Sequence, residues 1–482
     1  SRDRLGQKPF FYSYSNGIFL FASELAALTV HPDFKRDMNN SAIFQYLILG
    51  YIAAPETIYQ VGKKLEPGHF LVLNKQDLSI KSYWSLSYEK NNLSFEDTEK
   101  ELERLFKDSV EKRMISHVPL GVFLSGGIDS SLVALQMAEI SPSPIKTFSI
   151  GFEHEDYNEL KYARQVAEFI GSEHYEHIVT PKAAEILPDL VKHYGEPYAD
   201  SSAIPTYYVS KMTREKVTVA LNGDGGDESF VGYDRYRAMA VSEKLKYVPS
   251  WMLKTISKCL PDSLDFKSPY RRLKRFLDVC PAPISERYLR WISLIDKKEL
   301  LQILSVENSD CDDLSYFKKI FLQTEFLHPI EKAMNCDMHF YLPYDLLVKV
   351  DIATMIHSLE GRSPFLDYRL VELAASTNIN YKFHKGIQKY LLKRFITKKM
   401  PSYDINRKKY GFGIPLGHWL RGDLNELVNS SLLSERFKNR GLFQYSEVEK
   451  RIQAHQTGKA DYSYFIYSVR FLELWFREFI DS

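Results

Sequence analysis

The spacing of hydrophobic positions changes near residue 87 and again near residue 236, and each region predicts a different kind of structure. Residues 1–87 alternate short hydrophobic runs with turns, which indicates an α+β domain. Asn16-Gly17 lies between two of these runs and predicts a β-hairpin, because that pair suits a two-residue turn. The predicted strands are 10–12, 18–22 and 68–73, and the predicted helix is 41–49. The polar residues 88–98 have no periodicity and predict a linker.

Residues 99–482 form the second predicted domain, in which hydrophobic strands alternate with amphipathic helices. The spacing predicts helices over 95–115, 159–170, 182–193 and 203–213, and strands over 121–124, 145–152, 174–179 and 217–221. Strands separated by helices of about 10–15 residues form βαβ units. We therefore expect an α/β fold in which helices cover both faces of a parallel sheet.

From about residue 236 the pattern becomes helical and rich in aromatic residues, and it ends in a predicted helix over 464–480. Aromatic residues at helical spacing pack into a core by default. On that ground we expect four of them to be buried: Trp251, Trp291, Phe317 and Phe321. Acidic residues crowd into 303–315, which we expect to be a solvated surface turn and not a metal site.

Composition excludes several classes of protein. The chain has 482 residues, too many for a single core, so we expect two domains. Its 63 Lys and Arg residues nearly balance its 62 Asp and Glu residues, which argues against a nucleic-acid partner. No apolar run approaches the roughly 18 residues of a membrane span, and no basic and apolar leader opens the chain. The four cysteines have no C-x-x-C spacing, which argues against zinc and disulfides and fits a reducing cytoplasm.

The strand predicted at 121–124 ends abruptly in Ser125-Gly126-Gly127-Ile128-Asp129-Ser130, and a helix follows at once. Two glycines let the backbone approach a bound anion, while the N–H groups of the first helical turn point at the same place. Ser125 and Ser130 add hydroxyl donors. A carboxylate such as Asp129 suits a phosphate site when Mg²⁺ lies between them. A bare Gly-Gly turn would favour an ordinary capped helix start, but the whole string favours phosphate.

A second loop follows the strand that ends at Leu221: Asn222-Gly223-Asp224-Gly225-Gly226-Asp227-Glu228. Both loops fall at the carboxyl ends of strands, where parallel sheets bind ligands. Glycines in this loop bring carboxylates to a metal and phosphate complex with no bulky side chain in the way. A solvated turn with helix-capping acids is the alternative when the loop is taken alone. Paired with the first loop, it favours a metal site.

Several strings together resemble one enzyme family. Ser125 to Ser130 is similar to the S-G-G-x-D-S pyrophosphate loop of the ATP pyrophosphatases. Further strings resemble the glutamine-dependent asparagine synthetases and their amidotransferase relatives: Thr147 to Phe152, Gly223 to Glu228, Asp351 to Met355, Leu359 to Asp367 and Lys389 to Lys393. The opening residues 2–9 and 21–25 resemble the second half of that family's glutaminase domain. We therefore expect a chain that begins within this domain, after the cysteine nucleophile, and that does not itself hydrolyse glutamine by the family mechanism.

The resemblance implies a partial glutaminase-like domain of the Ntn hydrolase type over 1–87, followed by a synthetase domain with the ATP pyrophosphatase fold and a helical extension from about 236. It implies ATP and Mg²⁺ as ligands. Lys389 would lie over the α-phosphate. Asp224 would either steer ammonia or take its proton, and the alternative is that it only positions a residue that binds the ligand. Asp129 and Asp227 would hold Mg²⁺. The expected nucleotide contacts are Leu124, Ser125, Gly126, Gly127, Asp129, Ser130, Ile150, Asn222, Gly223 and Asp227.

Four positions depart from the family pattern. Asn222 stands where Ser is usual, Ile352 where Arg is usual, Gly361 where Val is common, and Asp224 where many asparagine synthetases have Glu. These changes leave the phosphate site intact but weaken the inference that aspartate is the acceptor. We expect three nearby charged residues to form a structural ion-pair corner or to bind the acceptor: Glu360, Arg362 and Asp367.

The implied reaction is the amidation of a carboxylate through an acyl-adenylate, with release of AMP and pyrophosphate and with nitrogen from glutamine or ammonia. Aspartate is the expected acceptor, and a sugar acid is an alternative. A β-lactam-forming synthetase, a tRNA-modifying pyrophosphatase and a nucleotide-binding remnant without catalysis are further alternatives. A separate polypeptide carrying the other glutaminase half and a homodimer are the macromolecular partners that the resemblance allows.

Overall fold

A computed structural model describes residues 1–481, apart from residues 76, 246, 262–267, 306–313, 325 and 408–412. Most of the acidic segment 303–315 therefore lies outside the described residues, and its predicted role as a surface turn stays a prediction. Among the helices of the described residues, none combines the length and the apolar character that crossing a bilayer requires. The three cysteines in this part of the chain, Cys259, Cys280 and Cys336, are free thiols.

The first region contains the predicted hairpin. Strands β1 (Phe11–Ser15) and β2 (Ile18–Ala22) pair antiparallel around Asn16-Gly17. Both turn residues have positive φ, 52° and 78°, which Asn and Gly adopt more readily than other residues. The other elements of this region are α1 (Leu25–Leu28), α2 (Asn40–Leu49), β3 (Lys63–Lys64), β4 (His69–Asn74) and β5 (Asp77–Ser82). The sequence pattern missed β3 and β5, which are short or mainly polar.

The predicted linker has no regular structure before helix α3 (Phe95–Met114) begins. The side chain of Ser94 caps this helix, because its Oγ accepts a hydrogen bond from Asp97 N at 3.1 Å. The segment before the helix is nevertheless packed: Tyr88 is buried against Leu327 and Ala375. It therefore connects the two regions without separating them in space.

Five parallel strands form the central sheet, in the order β10, β9, β6, β7, β8. They are β6 (Leu120–Phe123), β7 (Lys146–Phe152), β8 (Glu173–Val179), β9 (Val219–Leu221) and β10 (Glu360–Arg362). The connecting helices are α4 (Ile128–Ile140), α5 (Leu160–Ile170), α6 (Leu187–Tyr194) and α7 (Ala203–Arg214). The chain moves outward from β6 through β7 and β8, then returns to place β9 on the other side of β6. Ligands bind α/β sheets at such a reversal of strand order.

Two details of this region differ from the prediction. The helix expected over 182–193 is a 3₁₀-helix over Pro181–Ile186 that continues as the α-helix α6. Pro188 has no N–H and cannot bond to Ala184, which breaks the α-helical ladder at this point. Strand β10 was not predicted, because its Glu-Gly-Arg sequence has no hydrophobic residue and it lies at the sheet edge.

Helices dominate the rest of the chain, as expected, and α8 (Gly226–Ser229) begins within the acidic loop. The helices that follow it, before a π-helical turn at Leu342–Leu346, are α9 (Asp234–Leu245), α10 (Ser250–Cys259), α11 (Pro269–Val279), α12 (Ile284–Ile292), α13 (Lys297–Ile303), α14 (Ser315–Gln323) and α15 (Pro329–His339). Those after the turn are α16 (Leu347–Met355), α17 (Tyr368–Ser376), α18 (Ile379–Lys382), α19 (Tyr390–Lys399), α20 (Leu416–Arg421), α21 (Asn425–Leu432), α22 (Glu435–Arg440), α23 (Tyr445–Gln456) and α24 (Ser463–Phe479).

One hydrophobic core joins the first region to the helical part. Residues of α2 and the following loop share a buried cluster with α24. Trp475 of α24 is fully buried, lies 5.8 Å from the Tyr59 ring and donates a hydrogen bond from Nε1 to Gly195 O at 3.0 Å. Phe317 and Phe321 are buried as predicted, whereas Trp251 is 67% exposed. The prediction for Trp251 is wrong because α10 buries only Leu253 and Ser257.

Replacing Trp475 with Ala removes a buried ring that contacts both regions, and we expect a loss of about 3–5 kcal/mol of stability. Thermal unfolding followed by circular dichroism would measure it as a lower midpoint. Trp251→Ala is the matched control, because an exposed ring on α10 should change the midpoint little. Equal shifts for the two variants would contradict a core shared through α24.

Candidate active site

A cleft of about 730 Å³ opens at the carboxyl ends of the central strands. Its walls come from the loop after β6, the loop after β9, the start of α19, and the facing helices α7 and α16. The volume lies within the range of about 300–1,000 Å³ that is usual for small-molecule sites. Nearly all of the predicted site residues line this cleft: Leu124, Ser125, Gly127, Asp129, Ser130, Ile150, Asn222, Gly223, Asp224, Asp227 and Lys389.

The loop after β6 points its hydroxyl and amide groups at one another around a tight turn. Ser125 Oγ lies 3.0 Å from Ser130 Oγ and accepts a hydrogen bond from Gly127 N at 3.2 Å. Gly126 was predicted to contact the nucleotide, but it does not line the cleft. Its φ is 73°, a Cβ added there would lie 2.6 Å from the carbonyl carbon of Tyr162, and its own carbonyl accepts a hydrogen bond from Tyr403. Gly126 therefore packs the loop onto α5.

Two glycines of the acidic loop let it touch the first loop. A Cβ at Gly223 would lie 2.8 Å from Ser130 N, and a Cβ at Gly226 would lie 2.6 Å from Asp129 Cγ. Real Cβ atoms do not come this close, so only glycine fits at either position. The contact brings Asp227 to the side of Asp129, although the two are 98 positions apart in the sequence.

Lys389 lies between these two carboxylates. Its Nζ is 2.5 Å from Asp227 Oδ1 and also donates a hydrogen bond to Asp129. Burial alone would lower the pKa of Lys389, but the two carboxylates raise it above its usual value. Lys389 precedes α19 with a φ of 52°, a left-handed conformation that is uncommon outside glycine. Such a conformation persists only where its surroundings enforce it.

Gly232 fits closely against the same ion pair. A Cβ at this position would lie 1.8 Å from Asp227 Oδ1 and 2.4 Å from Lys389 Cε. The preceding residue, Val231, has a φ of 62°, which is strained for a β-branched side chain. Gly232 N donates a hydrogen bond to Asp227 O at 2.8 Å, so this turn fixes the backbone of Asp227 as well as its side chain.

Two acids of the second loop have raised pKa values. Burial raises the pKa of Asp224 to about 6, with Lys349 opposing the rise and the Asp129 and Asp227 carboxylates adding to it. Burial, followed by the charge of Asp227, raises the pKa of Glu228 to about 7. Perturbed acids in a cleft are typical of functional sites. Glu228 was not among the predicted site residues, and it accepts a hydrogen bond from the hydroxyl of Tyr233, five residues further along the chain.

Asn222 connects the acidic loop to the edge strand. Its Oδ1 accepts hydrogen bonds from Ser363 Oγ at 2.5 Å and from Asp224 N at 3.2 Å. Asn222 N also donates to Arg362 O at 2.9 Å. Asn222 therefore ties the ends of β9 and β10 together.

The predicted ion-pair corner is only partly present. Arg362 and Glu360 form an ion pair at 2.7 Å. Asp367 does not join it, because its carboxylate faces Arg113 at 3.3 Å and Arg369 at 2.8 Å. Glu360, Arg362 and Asp367 all lie outside the lining of the cleft. The prediction that the three residues form one corner is wrong for Asp367. Strand β10 ends at Arg362, and the chain then turns so that Asp367 faces Arg113 of α3.

Another charged cluster lines the cleft and was missed. Lys349 Nζ on α16 lies 2.8 Å from Asp200 Oδ2 and 2.8 Å from Ser202 Oγ. Behind it, Asp345 accepts a hydrogen bond from Tyr198 OH at 2.6 Å. Burial and the Asp200 carboxylate raise the pKa of Asp345 to about 8. The only sequence signals were the Asp-Ser-Ser string before α7 and a lysine two positions before Asp351, and neither indicates a pair.

One place in the cleft has carboxylates that suit Mg²⁺. Within the described ranges, no group of three or more His, Cys, Asp or Glu side chains is arranged to hold a metal. Asp129 and Asp227 nevertheless converge on one point, which the Lys389 ammonium takes in this structure. Mg²⁺ is commonly held by one or two carboxylates together with substrate phosphates. This pair beside the Ser125 to Ser130 loop fits that donor set.

Comparison with known proteins gives matches along almost the entire chain. The family model for asparagine synthase matches residues 101–477, and the model for a glutamine amidotransferase domain matches residues 1–84. Asparagine synthetase (glutamine-hydrolyzing) 1 of Bacillus subtilis is 32% identical over 480 residues, which cover 98% of this chain and 74% of that protein. A putative asparagine synthetase (glutamine-hydrolyzing) of Mycobacterium bovis is 29% identical, with 100% and 74% covered. The amidase chyE of Penicillium rubens is 23% identical, with 94% and 73% covered.

Gly232→Ala should separate Lys389 from Asp227, because the added methyl group occupies the space of both side chains. We expect ATP-dependent turnover to fall at least about 100-fold, the scale seen when one group that stabilises the transition state is removed. Gly361→Ala is the matched control, since its Cβ would meet nothing closer than 3.5 Å. Turnover by the Gly232 variant at the rate of the Gly361 variant would contradict the requirement for glycine.

The Asp345→Asn variant should become more stable relative to the wild-type protein as the pH rises. The unfolded Asp345 carboxyl ionises near its ordinary pKa of about 4, whereas the folded one ionises at about 8. Between these values the folded state binds more protons, so wild-type stability falls with rising pH and the Asn variant avoids this loss. Unfolding midpoints at pH 5 and pH 8 would measure the difference. A difference that does not grow with pH would contradict a neutral buried Asp345.

Proposed function

This chain belongs to the asparagine synthase family, and we propose that it amidates aspartate to asparagine through an acyl-adenylate. As a member of that family it is an ATP-dependent carbon–nitrogen ligase. The observation that carries the proposal is the convergence of three segments on one point, with Lys389 between Asp129 and Asp227 beside the Ser125 to Ser130 loop. This arrangement suits the displacement of pyrophosphate from ATP.

The proposed reaction has two steps. A carboxylate oxygen of the acceptor attacks the α-phosphorus of ATP, and the bond to the β-phosphate oxygen breaks, which releases pyrophosphate. Ammonia then attacks the acyl carbon, loses a proton, and AMP leaves with the former acceptor oxygen. A carboxylate is a poor electrophile, and adenylation gives it a good leaving group.

The loop residues have separate proposed roles. Ser125, Gly127 and Ser130 would bind the pyrophosphate through hydroxyl and backbone N–H groups. Lys389 would stabilise the charge that develops at the α-phosphate. Mg²⁺ held by Asp129 and Asp227 would neutralise the leaving pyrophosphate. Leu124 and Ile150, which line the cleft from the ends of β6 and β7, would contact the nucleoside.

Asp224 is proposed as the proton acceptor for ammonia. Its raised pKa of about 6 leaves it ionised at neutral pH but more basic than an exposed Asp. A base with a pKa near the working pH is the most effective. Activity should therefore decline as pH falls through about 6, which is the pKa of this group.

The nitrogen source is proposed to be glutamine or ammonia, with any glutamine hydrolysed by a separate polypeptide that carries the other glutaminase half. The match of residues 1–84 to a glutamine amidotransferase domain supports this proposal. The reducing cytoplasm is the proposed location, in keeping with the free thiols of Cys259, Cys280 and Cys336. Ammonium salts replace glutamine in the test below, so that it depends on the synthetase reaction alone.

Incubation with Mg-ATP, aspartate and ammonium should give AMP, pyrophosphate and asparagine in equal amounts. Lys389→Met and Asp129→Asn should each reduce kcat by about 10²–10³, because each removes a charge at the phosphates. Lys399→Met is the matched control, since this lysine ends the helix that Lys389 precedes but pairs with Glu139 outside the cleft. Absence of AMP with every acid tested would exclude the ligase reaction, and near wild-type rates in the Lys389 variant would exclude its role.

A further inference from the structure

Helices α10 and α11 carry exposed apolar side chains on the surface of the protein. Trp251, which the sequence pattern predicted to be buried, is 67% exposed, and Tyr247, shortly before α10, is 83% exposed. Four more large apolar side chains of the two helices are exposed: Met252, Ile256, Tyr270 and Leu273. Single exposed apolar side chains are ordinary, but a group of them on one pair of helices is typical of an interaction site.

The exposed apolar side chains of α10 lie on one side of the helix. Met252 and Ile256 are four residues apart, so they are neighbours on the helix surface, and Trp251 extends the same exposed arc. Leu253 lies on the opposite side and shares a small buried cluster with Leu277 of α11. The packing of the two helices against each other therefore accounts for the inner side of α10 and leaves its outer side exposed.

Basic side chains accompany this apolar surface. Helices α10 and α11 contain six Lys and Arg residues and one acidic residue, which gives a net charge of +5, whereas the chain as a whole has +1. Lys254 and Lys258 follow Trp251 by three and seven residues, a spacing that places all three on one side of the helix. Both lysines are exposed. The exposed tryptophan thus lies between an apolar arc and a row of positive charge.

We propose that α10 and α11 dock on the surface of a membrane that contains anionic lipids. Trp251, Met252 and Ile256 enter the boundary between the headgroups and the acyl chains, while the neighbouring lysines bind the negative headgroups. The two helices have 10 and 11 residues and lie on the bilayer without crossing it. This docking does not depend on the proposed amidation.

A lipid surface fits this combination of side chains better than other anionic partners do. Nucleic acids are bound chiefly through phosphate contacts, which would leave the side chains of Met252 and Ile256 in water. Interfaces between proteins are depleted in lysine, whereas Lys254 and Lys258 adjoin the most exposed apolar residue of α10. Tryptophan beside lysine on a short amphipathic helix is typical of a helix in the membrane interface.

The docking surface adjoins the cleft. Arg272 of α11 lines the cleft, and its guanidinium lies 3.6 Å from Asp234, which also lines it. Tyr270 and Leu273 on either side of Arg272 are among the exposed apolar residues. A docked α11 therefore holds the cleft close to the bilayer.

Trp251 provides a direct probe of docking. The chain has five tryptophans, all within the described residues, and Trp251 is the only one of them that is exposed. Vesicles made of equal parts phosphatidylcholine and phosphatidylglycerol should shift its fluorescence to shorter wavelength, and a lipid with a quencher near the headgroup should quench it. Vesicles of phosphatidylcholine alone should bind at least about 25-fold more weakly, because each lysine near an anionic surface contributes about fivefold.

Two variants separate the apolar and the charged contributions in a vesicle sedimentation assay. Trp251→Ser should weaken binding to the anionic vesicles about 10-fold or more, because the ring no longer enters the interface. Lys254→Glu combined with Lys258→Glu should weaken it at least about 25-fold and reduce its dependence on salt. Phe21→Ser is the matched control, because Phe21 is 65% exposed on β2, a strand without a charged residue. All four residues lie outside the lining of the cleft, so ammonium-dependent turnover without vesicles should stay within about twofold of wild type.

Several results would overturn the proposal. They are an unchanged Trp251 fluorescence with both kinds of vesicle, equal binding to the two kinds, and equal binding by the wild type and the two variants. Wild-type dimers that Trp251→Ser dissociates, in a protein that does not bind vesicles, would assign the surface to a second copy of the chain. Binding to duplex DNA without binding to vesicles would assign it to nucleic acid. Each of these results leaves the proposed ligase reaction in place.

Discussion

A buried lysine held between two carboxylates is the interaction on which the site depends. Lys389, Asp129 and Asp227 come from three segments that are distant in sequence, and each is mostly enclosed by protein. A buried charge that loses its partner costs several kcal/mol, typically about 3–5. The loops after β6 and β9 and the start of α19 must therefore be placed accurately with respect to one another, and the strand reversal beside β6 is what places them.

This constraint explains the backbone around the cluster. Gly223 and Gly226 allow the two loops to touch, and Gly232 leaves room for the ion pair itself. Val231 and Lys389 hold left-handed conformations that cost about 1–3 kcal/mol each. Such strain is retained where the surrounding contacts enforce it. Here the same contacts that strain the backbone also position the charges.

The Lys389 and Lys349 clusters of the cleft differ in the groups that contact the ammonium. At Lys389 the pair of carboxylates converges on one cation beside a loop rich in N–H and hydroxyl donors, which suits phosphates and Mg²⁺. At Lys349 the ammonium group contacts the Asp200 carboxylate and the Ser202 hydroxyl, each at 2.8 Å. Burial is the main cause of the raised pKa values of Asp224 and Asp345, and neighbouring carboxylates add to the rise.

The sequence by itself determined the elements with strong local signals. The Asn16-Gly17 hairpin, the βαβ alternation and the two glycine-rich loops follow from turn chemistry and from hydrophobic period, which act over a few residues. Local periodicity also suggested a buried Trp251, which is wrong because burial depends on which helix packs against that face.

Only the tertiary structure decided how distant residues meet. Strand β10 has no hydrophobic pattern, and pairing with β9 alone makes it a strand. Asp367 pairs with Arg113 and Arg369 and not with Arg362, and Lys349 of α16 meets Asp200 from the segment before α7. These pairings depend on chain segments that approach through the packing of a shared core. A short-range pattern carries no information about that approach, which is the physical reason the Asp200 and Lys349 pair was not predicted.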